Sequence, residues 1–334
     1  MSVSSYGPEE LQILSQFWYP VAFAHQVQDH PLGVRLLERD LVVWRTAAGV
    51  QVAEDRCPHR GYRLSHGRLH QELLICPYHG FHYDFQGRCV LVPSDPTATI
   101  PTRLCLKTYP TQEAYGLVWT CLGLNPDTHK VPPFPEWGDP EYVQFLPAGV
   151  ELAVSAGRQM EGFLDVAHFA WVHTQTFGDA NNPLVPAYGV ETTPLGLRAD
   201  YWSTVSNFPQ GLQHLGPPDY LWRREFEVFL PYTARLTVTF PGGGRLCILN
   251  AMSPVSPTRS RLFCPICRNF DRDAPPEPTY AFNAQVFAED KAMVEAQVPA
   301  YVPLDPRAEV PVGADRTSVA YRQALRQLGL QVHA

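Results

Sequence analysis

Two short stretches carry residues with evident metal chemistry. Cys57-Pro58-His59 and Cys76-Pro77-Tyr78-His79 each set one thiol beside one imidazole, and sixteen residues separate His59 from Cys76. Zinc can take all four donors in a closed tetrahedral site, but it typically draws Cys–Cys and His–His pairs. Two mixed pairs suit a [2Fe-2S] centre, in which two thiolates hold one iron and two neutral imidazoles hold the other. Pro58, Pro77 and Gly80 fit tight loops around such ligands. His66, His70 and His82 have no matching role and read as surface residues. The remaining cysteines read as small core residues. Cys264 and Cys267 form a CxxC in a strand-like run, where residues i and i+3 point to opposite faces; that pair reads as packing.

A second constellation lies in EGFLDVAHFAWVH, Glu161 to His173. Asp165, His168 and His173 are polar groups in an otherwise apolar helical segment, and burying them costs free energy unless each finds a partner. A metal is such a partner, since it binds neutral His and ionised carboxylate. His168 and His173 diverge by about 140° on an ideal helix. Joint ligation therefore needs a π-like turn, a bend, or His173 beyond the helix end, and a wide turn of that sort is expected here. Two His and one carboxylate complete a facial triad for non-haem Fe(II). The helix expected over 280–298 supplies the acid. Phe282, Val286, Phe287, Met293, Val294 and Val298 define its apolar face, Asp290 lies near the middle, and Glu289 lies toward the edge. Asp290 is the chosen ligand.

The elements that must position these groups are legible in outline. The chain has 334 residues, 45% hydrophobic and 18% charged, which bounds one large or two ordinary globular domains. A net charge of -7 leaves nucleic acid or an anionic membrane without electrostatic support. Proline, 33 residues, is about twice its average share and argues against a mainly helical protein. No signal peptide or membrane-length apolar run is visible, so the reading is cytoplasmic, where eight Cys do not form a disulfide framework. Residues 34–125 read as short strands, 126–141 as a stiff Pro-rich linker, and 142–334 as an antiparallel sheet with helices; 1–33 should pack on that last domain. Helices are expected over Pro8–Phe17 and Arg158–Val172, the latter buried all round. Ala234, Leu236, Val238 and Phe240 alternate with Arg235, Thr237 and Thr239, giving one buried face. The fold class is α+β, an all-β domain followed by a helix-grip-like one.

Cys57, His59, Cys76 and His79 match the Rieske motif Cys-X-His…Cys-X-X-His residue by residue. Asp165, His168 and His173 match Asp-X-X-His-X4-His, and Asp290 matches the later acidic ligand. On these residues the chain resembles a Rieske non-haem iron oxygenase α subunit over nearly its full length. One departure is Gly162, where the family often has Asn. The resemblance implies a Rieske cluster, a mononuclear Fe(II), and a homotrimer in which the cluster of one chain serves the iron of the next. It implies that Asp165 bridges His79 to His168, a catalytic role to be set against that of a structural cap or a buried hydrogen bond. It also implies electrons from NAD(P)H through a separate ferredoxin or flavin reductase, since the chain shows no dinucleotide fingerprint.

The expected function is hydroxylation or oxidative demethylation of a mostly apolar, aromatic small molecule with dioxygen. The alternatives are ring cis-dihydroxylation, a Rieske electron carrier without catalytic iron, and a zinc-stabilised binding protein. Leu236, Val238, Phe240, Leu246 and Ile248 should face the iron, with Asn207, Phe240 and Asn250 as candidate substrate contacts. Residues 174–188 read as either a lid or an ordinary surface loop.

Overall fold

The computed structural model describes residues 5–97, 99–123, 129–203, 213–216 and 222–331. Two units divide the chain: residues 14–131 form one, and residues 1–13 with 132–334 form the other. Helix α1 (Pro8–Leu14) lies at that boundary. It is three residues shorter than the expected Pro8–Phe17.

The unit of residues 14–131 is all β. Its strands are β1 (Trp18–Phe23), β2 (Leu32–Leu36), β3 (Arg39–Thr46), β4 (Gly49–Glu54), β5 (Arg68–His70), β6 (Leu73–Ile75), β7 (His82–Tyr83), β8 (Cys89–Leu91), β9 (Thr108–Tyr109), β10 (Thr111–Ala114) and β11 (Leu117–Cys121). They form three sheets, ordered β1-β11-β10, β2-β3-β4-β9 and β5-β6-β7-β8. All the pairings are antiparallel. Val42, Trp44, Leu64, Leu74 and Tyr83 are fully buried together with Cys57 and Cys76, so the two thiols are rooted in the core of this unit. The strand β1 escaped the sequence reading because its burial is nearly continuous, leaving no alternation to detect.

The larger unit is built on a nine-stranded antiparallel sheet. Its strands are β12 (Val143–Phe145), β13 (Val150–Leu152), β14 (Gly189–Thr193), β15 (Gly196–Ser203), β16 (Trp222–Phe229), β17 (Thr233–Thr239), β18 (Arg245–Ser256), β19 (Arg259–Phe263) and β20 (Ile266–Arg268). The main order is β12-β20-β18-β17-β16-β15-β14, with β13 and β19 joined at β18. Among the described residues four α-helices accompany it: α2 (Ala156–Leu164), α3 (Phe169–Val172), α4 (Glu277–Glu295) and α5 (Arg316–Gln327).

Several expectations change at this level. The run read as Arg261–Phe270 is two strands, broken at Cys264-Pro265 because proline cannot donate to the ladder. Cys264 and Cys267 are both buried, and burial raises both thiols, as packing requires. The β17 face opposite Leu236 is not solvent: Thr237 is 4% exposed, set beside Cys247 on β18. The stretch 126–141 is not uniform either. Phe134 and Glu136 are buried, and the Glu136 carboxylate accepts from Arg235 at 3.2 Å and Arg245 at 3.5 Å, which packs residues 134–138 into the larger unit.

Candidate metal centres

The two Cys–His loops share one backbone design. The Cys57 carbonyl accepts from Gly61 N–H (2.8 Å), and the Cys76 carbonyl accepts from Gly80 N–H (3.0 Å). The Cys57 N–H donates to Tyr62 O (2.8 Å), and the Cys76 N–H donates to Phe81 O (2.9 Å). Gly61 and Gly80 sit at φ 73° and 70°, in the left-handed region that favours glycine. Gly61 was missed in sequence because its partner role shows only once the two loops are superimposable turns.

Burial then divides the donors. Cys57 and Cys76 are 2% and 1% exposed, while His59 and His79 are surface residues with ring centroids 4.6 Å apart. Desolvation, then the neighbouring His79 and Arg60 charges, lowers the His59 pKa, which favours the neutral ligating form. Desolvation, together with the adjacent Cys57, raises the Cys76 thiol. Two buried sulfurs side by side become thiolates only with compensating positive charge, and a metal supplies it. The set fits a centre with its thiolate side inward and its imidazole side outward. Two further residues brace it. Phe81 stacks on His59 at 4.6 Å and 7°. The Tyr83 hydroxyl lies 3.1 Å from Cys57 Sγ, and burial keeps that phenol protonated far above its ordinary range, so it is the donor when the sulfur is a thiolate. No spacing rule links Tyr83 to Cys57; only packing in the shared core brings them together.

In the larger unit the expected single helix over 158–172 is two. Helix α2 ends at Leu164, where Asp165 leaves the helix with φ -76° and ψ 114°. The four-residue α3 follows, with His168 at its N-terminal cap and His173 at its C-terminal cap. Of the three ways to bring these imidazoles together, the chain uses the last, with His173 beyond the helix end. The His173 carbonyl accepts from Thr176, Phe177 and Gly178 N–H groups (3.0, 3.0 and 2.7 Å), closing the turn that follows. A Cβ at Gly178 would lie 2.0 Å from Phe169 O, so this turn admits only glycine.

Helix α4 brings the acids. It begins at Glu277, not Tyr280, and ends at Glu295, so Val298 is 91% exposed and off the apolar face. His168 Nε2 and His173 Nε2 lie 3.1 Å apart. Asp290 Oδ1 is 3.5 Å from the first and 3.1 Å from the second. Two imidazole nitrogens this close repel unless a proton or cation lies between them. Two neutral imidazoles and a carboxylate with open sides make the donor set of non-haem Fe(II). Among the described residues this is the cluster able to hold a metal in the larger unit. Although burial opposes it, contact with His168 and His173 lowers the Asp290 pKa and keeps it ionised.

Glu289, set aside in sequence, points elsewhere: its Oε2 lies 2.7 Å from His173 Nδ1. Asp165 Oδ1 caps the turn by accepting Ala167 N–H (2.8 Å), while Oδ2 stands 3.8 Å from His168 Nδ1. Among the described residues, His168 Nδ1 has no hydrogen-bond partner.

The triad opens on a cavity of about 350 Å³. Leu236, Val238, Phe240, Leu246, Ile248 and Asn250 all line it. Phe282, Val286 and Phe287 of α4 line it too, which is why that apolar stripe is only half-buried. Asn250 faces the cavity with its amide engaged: it exchanges reciprocal hydrogen bonds with Gln159 at 3.0 and 3.1 Å. Asn207 lies outside the described residues. Arg224 and Arg268 also line the cavity. Full burial lowers the Arg224 guanidinium to about 10, still cationic at neutral pH, with the Phe169 and Trp222 rings each 5.5 Å away.

Comparison with known proteins decides the family. Residues 153–331 match the vanillate O-demethylase oxygenase C-terminal domain, and residues 17–110 match the Rieske [2Fe-2S] domain. The methylxanthine N1-demethylase NdmA of Pseudomonas putida is 32% identical, over 96% of this chain and 90% of its own. The chain belongs to the Rieske non-haem iron oxygenases. A toluene-4-sulfonate monooxygenase iron-sulfur subunit, TsaM1 of Comamonas testosteroni, is 30% identical over 89% of this chain and 92% of its own. The solved structure of NdmA with caffeine superimposes with a TM-score of 0.87 at 30% identity, covering 95% of this chain and 92% of that one. This Rieske oxygenase is therefore an oxidoreductase with a two-histidine, one-carboxylate iron site. The electron-carrier and zinc readings fall, because neither accounts for the triad or the C-terminal family. No helix among the described residues is long and apolar enough to cross a membrane.

Proposed function

We propose that this Rieske oxygenase hydroxylates or oxidatively demethylates a mostly apolar, aromatic molecule of one or two rings. In this reading Cys57, Cys76, His59 and His79 hold the cluster, and His168, His173 and Asp290 hold the mononuclear Fe(II). The observation that carries it is the convergence of His168 Nε2, His173 Nε2 and Asp290 Oδ1 on the wall of a mostly apolar cavity. When bound, the cluster supplies single electrons and the mononuclear iron activates dioxygen toward a C–H bond.

The protein's own residues do the rest. Phe240, Leu246 and Ile248 exclude water and hold an apolar ring, and about 350 Å³ is near the lower end of ligand pockets. Gln159, Asn250 and the Arg224 guanidinium offer the polar contacts that orient it, and Asn207 is retained as a further candidate contact. Two relatives bear names of the same chemistry, an N1-demethylase and a toluene-4-sulfonate monooxygenase, which favours this reading over cis-dihydroxylation.

Electrons enter from NAD(P)H through a separate ferredoxin or flavin reductase. Asp165 passes them on by linking the His79 imidazole of a neighbouring copy to His168 in a cytoplasmic homotrimer. A one-third exposed Asp165 side chain and an exposed His79 support that arrangement.

The test is iron and acid-labile sulfide per chain on anaerobically purified protein, beside Asp290→Ala. About three irons and two sulfides are expected, falling to about two and two in the variant. Two irons in both, after Fe(II) is added back, would remove the mononuclear site. Formaldehyde release from N- or O-methyl arenes with a surrogate reductase then separates demethylation from diol formation.

A further inference from the structure

We propose that Glu289 is a positioning residue for the mononuclear iron: it holds His173 as the Nδ1-protonated tautomer and turns Nε2 to the metal. The inference rests on the iron site proposed above.

The His173 ring is wedged between consecutive side chains of α4. Its Nε2 faces Asp290 Oδ1 at 3.1 Å, and its Nδ1 faces Glu289 Oε2 at 2.7 Å. The two ring nitrogens point away from each other, so one acid shares the metal side and the other is confined to the far side. Glu289 acts through His173 and not as a ligand. Its carboxylate is itself held in place. Thr176 Oγ1 donates to the same Oε2 at 2.8 Å, and the Gln285 amide approaches Oε1 at 3.4 Å. The Glu289 side chain is 9% exposed, and among the described residues His173 is its only ion-pair partner.

A buried carboxylate paired with a single imidazole is weak evidence for stability, since removing it from water costs nearly what the pairing returns. It is strong evidence for orientation. An anionic acceptor fixes the proton on Nδ1, leaves the Nε2 lone pair free, and raises the basicity of the imidazole toward a metal. His168 makes the contrast: Asp165 Oδ2 stands 3.8 Å from its Nδ1, and among the described residues that nitrogen has no hydrogen bond. Of the two imidazoles, His173 is the one that a carboxylate holds at hydrogen-bond distance among the described residues.

The test uses the full-length chain with its Rieske cluster intact and the mononuclear site stripped by chelation. Fe(II) is titrated back into wild type, Glu289→Ala, Glu289→Gln and Thr176→Val, and Co(II) serves as a spectroscopic probe of ligand geometry. Sulfide content and circular dichroism report the fold. Glu289→Ala is expected to bind Fe(II) about 10- to 100-fold more weakly, with sulfide and fold unchanged and an altered Co(II) spectrum. Glu289→Gln keeps an acceptor without the charge, and should recover the wild-type Co(II) spectrum with part of the affinity. Thr176→Val should weaken binding less and in the same direction. Wild-type affinity and spectrum in Glu289→Ala would overturn the proposal. So would wild-type affinity in both Glu289→Gln and Thr176→Val, should the Ala variant not fold. A wild-type chain that takes up no third iron would overturn the iron-site reading itself, a result separable from either of these.

Discussion

At the residue scale, spacing proposes ligands but not their supports. Cys57, His59, Cys76 and His79 stand out because soft sulfur and imidazole recur in mixed pairs, and Asp290 stands out as an acid amid an apolar stripe. Tyr83 and Glu289 carry no such mark, because each meets its partner through tertiary packing. If Cys57 holds the cluster as proposed, a hydrogen bond from Tyr83 to its sulfur would strengthen on reduction and so would raise the potential. Tyr83→Phe should lower the Rieske potential. If a bond of about 1 kcal/mol is lost from the reduced state only, the shift is about 40 mV, measured by EPR-monitored redox titration. An unchanged potential would reduce Tyr83 to a packing residue.

Among the elements, the decisive feature is the end of α3 at Val172, which leaves His173 beyond the helix and turns a divergent His168–His173 pair into a convergent one. Helical periodicity shows that such a pair cannot ligate jointly from a regular helix; it does not say which irregularity resolves the conflict. The α2–α4 packing carries a second lesson. A Cβ at Gly162 would lie 3.0 Å from Val294 Cγ1, so the departure from the family's Asn matches a tight helix contact. Gly162→Asn should push α2 from α4 and cost about 1–3 kcal/mol of stability by overpacking, read by urea denaturation. It should also lower the mononuclear iron content, because the same two helices carry the approach to His168 and Asp290. Tolerance of Asn at full stability would mean that α4 yields there.

At the scale of the whole chain, the larger unit is tied together by a half-buried ionic cluster that no local pattern reveals. Arg158 on α2 donates to Glu161 (3.2 Å) and Glu309 (2.9 Å), and Arg322 on α5 donates to Glu161 (2.5 Å) and to Glu309. Burial opposes ionisation of Glu309, but the two guanidinium groups outweigh it and lower its carboxyl below the ordinary 4.5. The stability this contributes is present above about pH 4.5 and is lost as pH falls through the lowered folded value. Glu309→Gln should therefore lower the Tm at neutral pH, flatten the acid limb of the stability curve, and converge with wild type at low pH. Parallel curves across the whole acid range would show that Glu309 contributes nothing through its charge.

Sequence alone determined the chemistry: which metals, which seven ligands to propose, and an all-β portion followed by a sheet with helices. It could do so because metal ligation demands particular atoms at short chain separations, and because strands and helices impress periods of two and 3.6 on a chain. The tertiary structure decided what depends on atoms distant in the chain. It broke the ligand helix at Asp165, made the apolar face of α4 a cavity wall, and turned Glu289 to the far side of His173. It set Tyr83 on Cys57 and packed residues 134–138 against Arg235 and Arg245. None of these has a period or a fixed spacing, since each is set by which surfaces meet when the sheet and its helices close.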